Sequence, residues 1–103
     1  MFFPAIDDVS LAGLLYALGD PSRLRIAKNL YVSQLPLTCA QAAAGLGTMP
    51  MSTRAHHFGV LRQSGVVFSK KSGRETLNEL RSSELEAKFP GLLAAVLEQE
   101  IDG

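Results

Sequence analysis

Five basic side chains, Arg54, Arg62, Lys70, Lys71 and Arg74, fall within residues 54–74, a stretch that holds no acid and also carries His56 and His57. Guanidinium and ammonium groups at this density neutralise phosphates, and the hydroxyls of Ser52 and Thr53 just upstream can hydrogen-bond phosphate oxygens or base edges. The following segment, residues 75–103, carries seven acids (Glu75, Glu79, Glu84, Glu86, Glu98, Glu100, Asp102) against Arg81 and Lys88. Residues 1–53 are balanced, three basic against three acidic, so the whole chain has a formal charge of zero. Taken whole, zero argues against a polyanion-binding protein. Divided, it is a basic block beside an acidic tail, an asymmetry that points to a partner carrying phosphates; a solvated loop beside an acidic helix is the alternative from charge alone.

Other chemistries have less to stand on. His56 and His57 are adjacent, so on a helix they point about 100° apart and cannot chelate one ion together. Cys39 is the single cysteine, which excludes an intrachain disulfide framework. It reads as a small buried residue, with a redox switch through an intersubunit disulfide or sulfenate as the alternative. There is no glycine-rich phosphate loop, no HExxH and no grouping of Ser, His and carboxylate beyond chance, so no catalytic residue is assigned and the protein is not expected to be an enzyme.

The elements that must position the basic block follow from punctuation. Asp7 and Asp8 precede Val9, Leu11, Leu14, Leu15 and Leu18 at helical spacing, which predicts a first helix over about 8–18 stopped by Gly19. Asp20-Pro21 offers an N-cap and a proline at the first helical position for a second helix over 21–33. Thr38-Cys39-Ala40-Gln41 has the form of a capping box and opens a short alanine-rich helix to Leu46, ended by Gly47. Thr48 or Met49 can cap a fourth helix over 50–64 with Pro50 at its first position, and Met51, Ala55, Phe58 and Leu61 as its buried stripe. Two such helices across a glycine stop make a helix-turn-helix. Val66-Val67-Phe68 and Thr76 to Leu80 then read as two strands about a polar turn, a wing over 68–76. Leu77 and Leu80 have opposite parity, so a bulge or a short pairing is expected in the second strand. Ser83-Glu84-Leu85-Glu86 opens a short helix, and Pro90 starts a last one.

A chain of 103 residues with 47% hydrophobic and 19% charged side chains suits one folded domain over 1–103. No apolar run approaches the length of a membrane span, and Met1-Phe2-Phe3-Pro4 lacks the basic region and apolar core of a signal peptide, so a cytoplasmic location is expected. A mean hydropathy above zero is high for a small monomer and hints that a second copy covers some apolar surface.

Leu18-Gly19-Asp20-Pro21-Ser22-Arg23-Leu24-Arg25-Ile26, the run from Ser52-Thr53-Arg54-Ala55-His56-His57-Phe58 through Leu61-Arg62-Gln63-Ser64-Gly65-Val66-Val67, and Gly73-Arg74 together resemble the ArsR/SmtB family of winged-helix transcriptional regulators. The closing stretch, Asn78-Glu79-Leu80-Arg81 and Leu85 to Leu93, is similar to a branch without the usual metal-site residues. The resemblance implies a mainly α winged helix-turn-helix fold with a small two-stranded β-hairpin. It also implies a homodimer, a palindromic double-stranded DNA operator, and repression released by an inducing signal. An unknown small-molecule or redox inducer is left open, and no cofactor is expected. The family's thiolate metal site uses two cysteines in the third helix where this chain has only Cys39; its last-helix site uses histidines that residues 82–103 lack, so no metal is expected.

Within that fold the DNA-binding residues are expected to be Ser52, Thr53, Arg54, Ala55, His56, His57, Arg62, Lys70, Lys71 and Arg74, with helix 50–64 in the major groove and the wing on flanking DNA. Arg54 has a second reading, a packed stem with only its head free. Leu11, Leu14, Leu15 and Leu18 on the first helix and Phe89, Leu92, Leu93, Val96 and Leu97 on the last offer a dimer interface, unless both stripes pack inside one subunit. The rival function is a winged-helix protein-interaction module, antitoxin-like, that uses its basic face for an acidic surface without operator binding.

Overall fold

Three helix starts are fixed by side-chain caps that the sequence spells out. Ser10 accepts from the Gly13 amide at 3.0 Å and opens helix α1, Leu11–Leu18; Asp20 accepts from the Arg23 amide at 3.0 Å and opens α2, Pro21–Ser33, with Pro21 in its first turn. Thr38 Oγ1 accepts from the Gln41 amide at 3.2 Å while the Thr38 amide donates to Gln41 Oε1 at 2.9 Å, a reciprocal box that opens α3, Cys39–Ala42. The computed structural model describes residues 2–101. Among them the chain continues with α4, Met51–Gln63; strands β2, Val67–Ser72, and β3, Glu75–Leu80; then α5, Ser82–Lys88, and α6, Leu92–Leu97. A two-residue strand β1, Leu37–Thr38, precedes α3 and pairs antiparallel with β3, so the sheet has three strands in the order β1-β3-β2.

Several expectations are corrected. The first helix begins at Leu11 rather than about residue 8, because Ser10 supplies the cap; Ile6–Asp8 form a separate 3-10 turn. The third helix stops at Ala42 instead of reaching Leu46, since Asn29 Nδ2 on α2 donates to the carbonyls of Ala42 and Ala44, both at 2.9 Å, and Gly45 and Gly47 take positive φ. Pro50 is the N-cap of α4, so neither Thr48 nor Met49 caps it. Pro90 lies before α6, which Gly91 opens in a left-handed conformation. No bulge interrupts the hairpin: pairing runs without a break from Val67 opposite Leu80 to Ser72 opposite Glu75. The parity conflict is resolved by Asn78, which takes a fully buried position that a pattern of apolar residues could not reveal.

The core is continuous. Leu14, Ala17 and Leu18 of α1, Ile26, Ala27 and Leu30 of α2, Phe58 and Leu61 of α4, Val66 and Val67, Leu85 of α5, and Leu93 and Leu97 of α6 are buried together. This divides the expected dimer stripes. Leu14, Leu18, Leu93 and Leu97 belong to the subunit's own core, and Phe89, Leu92 and Val96 pack against it partly buried. Leu11 and Leu15, one turn apart on α1, remain about half exposed at 46% and 49%. Gly65 joins α4 to the wing at φ +90°; a Cβ there would come within 2.3 Å of Val9, so the N-terminal segment and the end of α4 meet at a point only glycine allows.

Candidate nucleic-acid interface

α4 begins unlike the three helices before it. Its N-cap is Pro50, which makes no side-chain cap, its first turn holds no acid, and its first intrahelical bond is the Arg54 amide to the Pro50 carbonyl at 3.0 Å. The amides that precede it are therefore left without a helical acceptor, at the positive end of a helix of 13 residues. Ser52, Thr53, Ala55 and His56 are exposed on this end. An uncapped positive helix terminus lined with hydroxyls and an imidazole favours anionic oxygen.

The buried face of α4 is rotated from the expected stripe. His57, Phe58 and Leu61 are buried, whereas Ala55 is exposed and Met51 is 70% exposed. Met51 is thus a large apolar side chain on the open end of the helix that sequence patterning assigned to the core. The available signal was its place directly after Pro50, in the first turn, before the core-facing stripe begins. Arg54 is half-buried: Nη2 lies 3.3 Å from Met51 Sδ, and the residue lines a hollow of about 340 Å³ with Ala43, Ala44, Gly47 and Met49.

His57 is corrected more fully. It is turned inward, with Nδ1 3.2 Å from Arg23 Nη1, a contact in which the guanidinium can only donate. Arg23, itself buried, also donates from Nε to the Ala17 carbonyl at 2.7 Å and lies over the Tyr16 ring. This ties the end of α1 and the start of α2 to the middle of α4. Asp20 Oδ2 stands 3.9 Å from His57 Nδ1. Burial pushes the Asp20 carboxyl up, but the Arg23 amide, the Arg23 guanidinium and the Ser22 amide outweigh it and hold the group below the ordinary carboxylate range. His56, next to it, is exposed, with its ring centroid 5.9 Å from that of His57.

The wing presents the remaining cations. Lys70, Lys71 and Arg74 are all exposed around a two-residue turn whose first position, Gly73, has φ +62°. Arg62, half-buried, occupies the last turn of α4, where a cation complements the helix dipole. Among the described residues, none of the five basic side chains of residues 54–74 forms an ion pair. The other five cations are engaged within the fold. Besides Arg23, Arg25 donates to the Ile101 carbonyl and Lys28 to the Gln99 carbonyl. Arg81 is held by Glu84, the Pro4 carbonyl and the Phe68 ring, and Lys88 bonds the carbonyls of Ile6, Asp7 and Val9. The basic side chains that are held by neither an acid nor a backbone carbonyl among the described residues are therefore those of α4 and the wing. Cys39, on α3, has its Sγ 3.4 Å from Asn78 Nδ2.

No protein-family model matches the chain. A protein of Bacillus subtilis (strain 168), described as the uncharacterized HTH-type transcriptional regulator YceK, is 33% identical over 87 residues, which span 84% of this chain and 86% of that one. Among solved structures, an ArsR family transcriptional regulator superposes with a TM-score of 0.64 at 23% identity, covering 91% of this chain and 92% of the other. The NMR structure of the cadmium sensor CmtR from Mycobacterium tuberculosis superposes with a TM-score of 0.56 at 32% identity, over 90% and 92% of the two chains. With a winged helix-turn-helix, a relative matched over most of both lengths and neighbours of one fold, the chain belongs to the ArsR/SmtB family of DNA-binding transcriptional regulators.

Proposed function

We propose that the protein is a homodimeric repressor that binds a palindromic operator, with α4 in the major groove and the wing on flanking DNA. The observation that carries this reading is that the five basic side chains held by neither an acid nor a backbone carbonyl among the described residues lie on α4 and the wing, beside a helix terminus with no side-chain cap. In this reading Ser52, Thr53 and His56 meet phosphates and base edges, and the methyl of Ala55 meets thymine. Met51 joins them as an apolar contact. Lys70, Lys71 and Arg74 hold the flanking backbone, Arg54 reaches it with its head alone, and Arg62 adds charge at the far end of the helix. His57 acts from inside, holding α4 against Arg23.

The half-exposed Leu11 and Leu15 support the dimer, since a second copy packed on α1 covers them. A two-fold axis then places two recognition helices on successive major grooves about 34 Å apart. A single folded domain, with α1 and α6 serving both core and interface, suits this arrangement. No described helix is long and apolar enough to cross a membrane.

Fluorescence anisotropy with fragments selected from the source genome tests the proposal. Affinity is expected to fall steeply with salt, and Lys70→Ala to flatten the slope of log K against log salt by about one unit. Retention of no DNA at low salt would overturn it. Sedimentation that gives a stable monomer at micromolar concentration would remove the dimer.

A further inference from the structure

Asn78 is wholly buried in the middle strand of the sheet, opposite Ser69 of β2 on one side and Leu37 of β1 on the other. Its carboxamide is fully engaged. Oδ1 accepts from Ser69 Oγ at 2.6 Å, and Nδ2 faces the Leu37 carbonyl at 3.2 Å, Cys39 Sγ at 3.4 Å and the Thr76 carbonyl at 3.5 Å. One side chain therefore joins both strands of the wing to the two-residue strand that leads into the first helix of the helix-turn-helix. An apolar residue could fill the same space but would lose these directional bonds, which tie the three strands at one point.

We infer that Asn78 is a positioning residue for DNA binding, setting the pose of the wing relative to the helix-turn-helix so that Lys70, Lys71 and Arg74 and the start of α4 can engage one duplex together. β1 is too short to do this by its ladder alone, having only Leu37 and Thr38 in register with β3. The inference rests on the proposed contact between wing and phosphates, and it adds that the contact depends on a polar group in the wing's base.

The slope of log K against log salt reads how many phosphates are engaged, which a loss of stability alone does not change. Anisotropy titrations well below the unfolding temperature compare the parent, Asn78→Leu, the triple variant Lys70→Ala/Lys71→Ala/Arg74→Ala, and the two combined. Asn78→Leu is expected to lose about one to two units of slope, and to lose little more when added to the triple variant, since both remove the same contacts. Hydrogen exchange without DNA is expected to quicken at the amides of β2 and β3 and not in α2. A folded Asn78→Leu with the parent's slope, or a loss fully additive to that of the triple variant, overturns the inference. If Asn78→Leu does not fold, Ser69→Ala decides: it removes the 2.6 Å donor alone, and an unchanged slope and wing exchange overturn the inference. A parent that binds no DNA at low salt defeats the functional reading instead, while the exchange experiment still reports whether Asn78 holds the wing.

Discussion

The basic block and the acidic tail use their cations in opposite ways. In α4 and the wing, Lys70, Lys71 and Arg74 stand exposed without an acidic partner among the described residues. In the tail, Arg81 is buried on the Phe68 ring and bonded to Glu84 and the Pro4 carbonyl, and Lys88 gathers three carbonyls of the N-terminal segment. The same residue types face solvent in one region and stitch the fold together in the other. Charge along a chain therefore says little until each charge has a partner or is shown to lack one.

Substitutions can break that contrast. The largest effect on binding is expected from the triple variant Lys70→Ala/Lys71→Ala/Arg74→Ala, which should make the salt slope shallower by about two to three units. Its thermal unfolding should stay within about 0.5 kcal/mol of the parent, because exposed side chains without partners contribute little. Arg81→Ala is the converse. Denaturant unfolding should show a loss of roughly 2–3 kcal/mol, since the Pro4 carbonyl and the Phe68 ring lose a buried partner, while the folded fraction keeps the parent's salt slope. A shallower slope in Arg81→Ala, or a large stability loss in the wing variant, would erase the distinction between the two regions.

Much of this was legible locally. Asp20-Pro21, Thr38 with Gln41, and the polar turn at Gly73 each announce their structure within four residues, and α2 appears where its signal puts it, while β2 runs through Lys70 and Lys71, which were read as turn, to leave only Gly73 and Arg74 between the strands. The charge block was equally plain, because it is contiguous. What stayed hidden was decided at long range. The donation from Arg81 to Pro4 spans 77 positions, and that from Lys88 to Ile6 spans 82. His57 was assigned to the groove because nothing near it in sequence showed that Arg23, 34 positions away, would claim its Nδ1. Strand β1 and buried Asn78 were missed together: a two-residue strand has no period, and a buried amide looks like an exposed one until its acceptors are known.

Smaller effects sharpen the picture. Asp20→Ala should cost about 1 kcal/mol through loss of the α2 cap. The folded carboxyl titrates below its unfolded value, so this contribution is fully present above the ordinary carboxylate range and is lost as pH falls through the lowered folded pKa. Unfolding curves of parent and variant should accordingly converge in acid and differ at neutral pH. Least of all is expected from Glu100→Gln, an exposed tail residue, which should leave DNA affinity within about twofold at physiological salt.

The internal use of half the cations bears on how a target is found. Random sequence holds a protein only through phosphates, so a molecule whose loose charge is one small patch grips it weakly and leaves it quickly. On the proposed reading, less of the population is then sequestered on the vast excess of irrelevant sites, and occupancy of an operator would depend on the discrimination made by base contacts. Holding Arg23, Arg25, Lys28, Arg81 and Lys88 in place fixes where those charges stand, and leaves the conformational freedom to follow a phosphate backbone to the side chains of α4 and the wing.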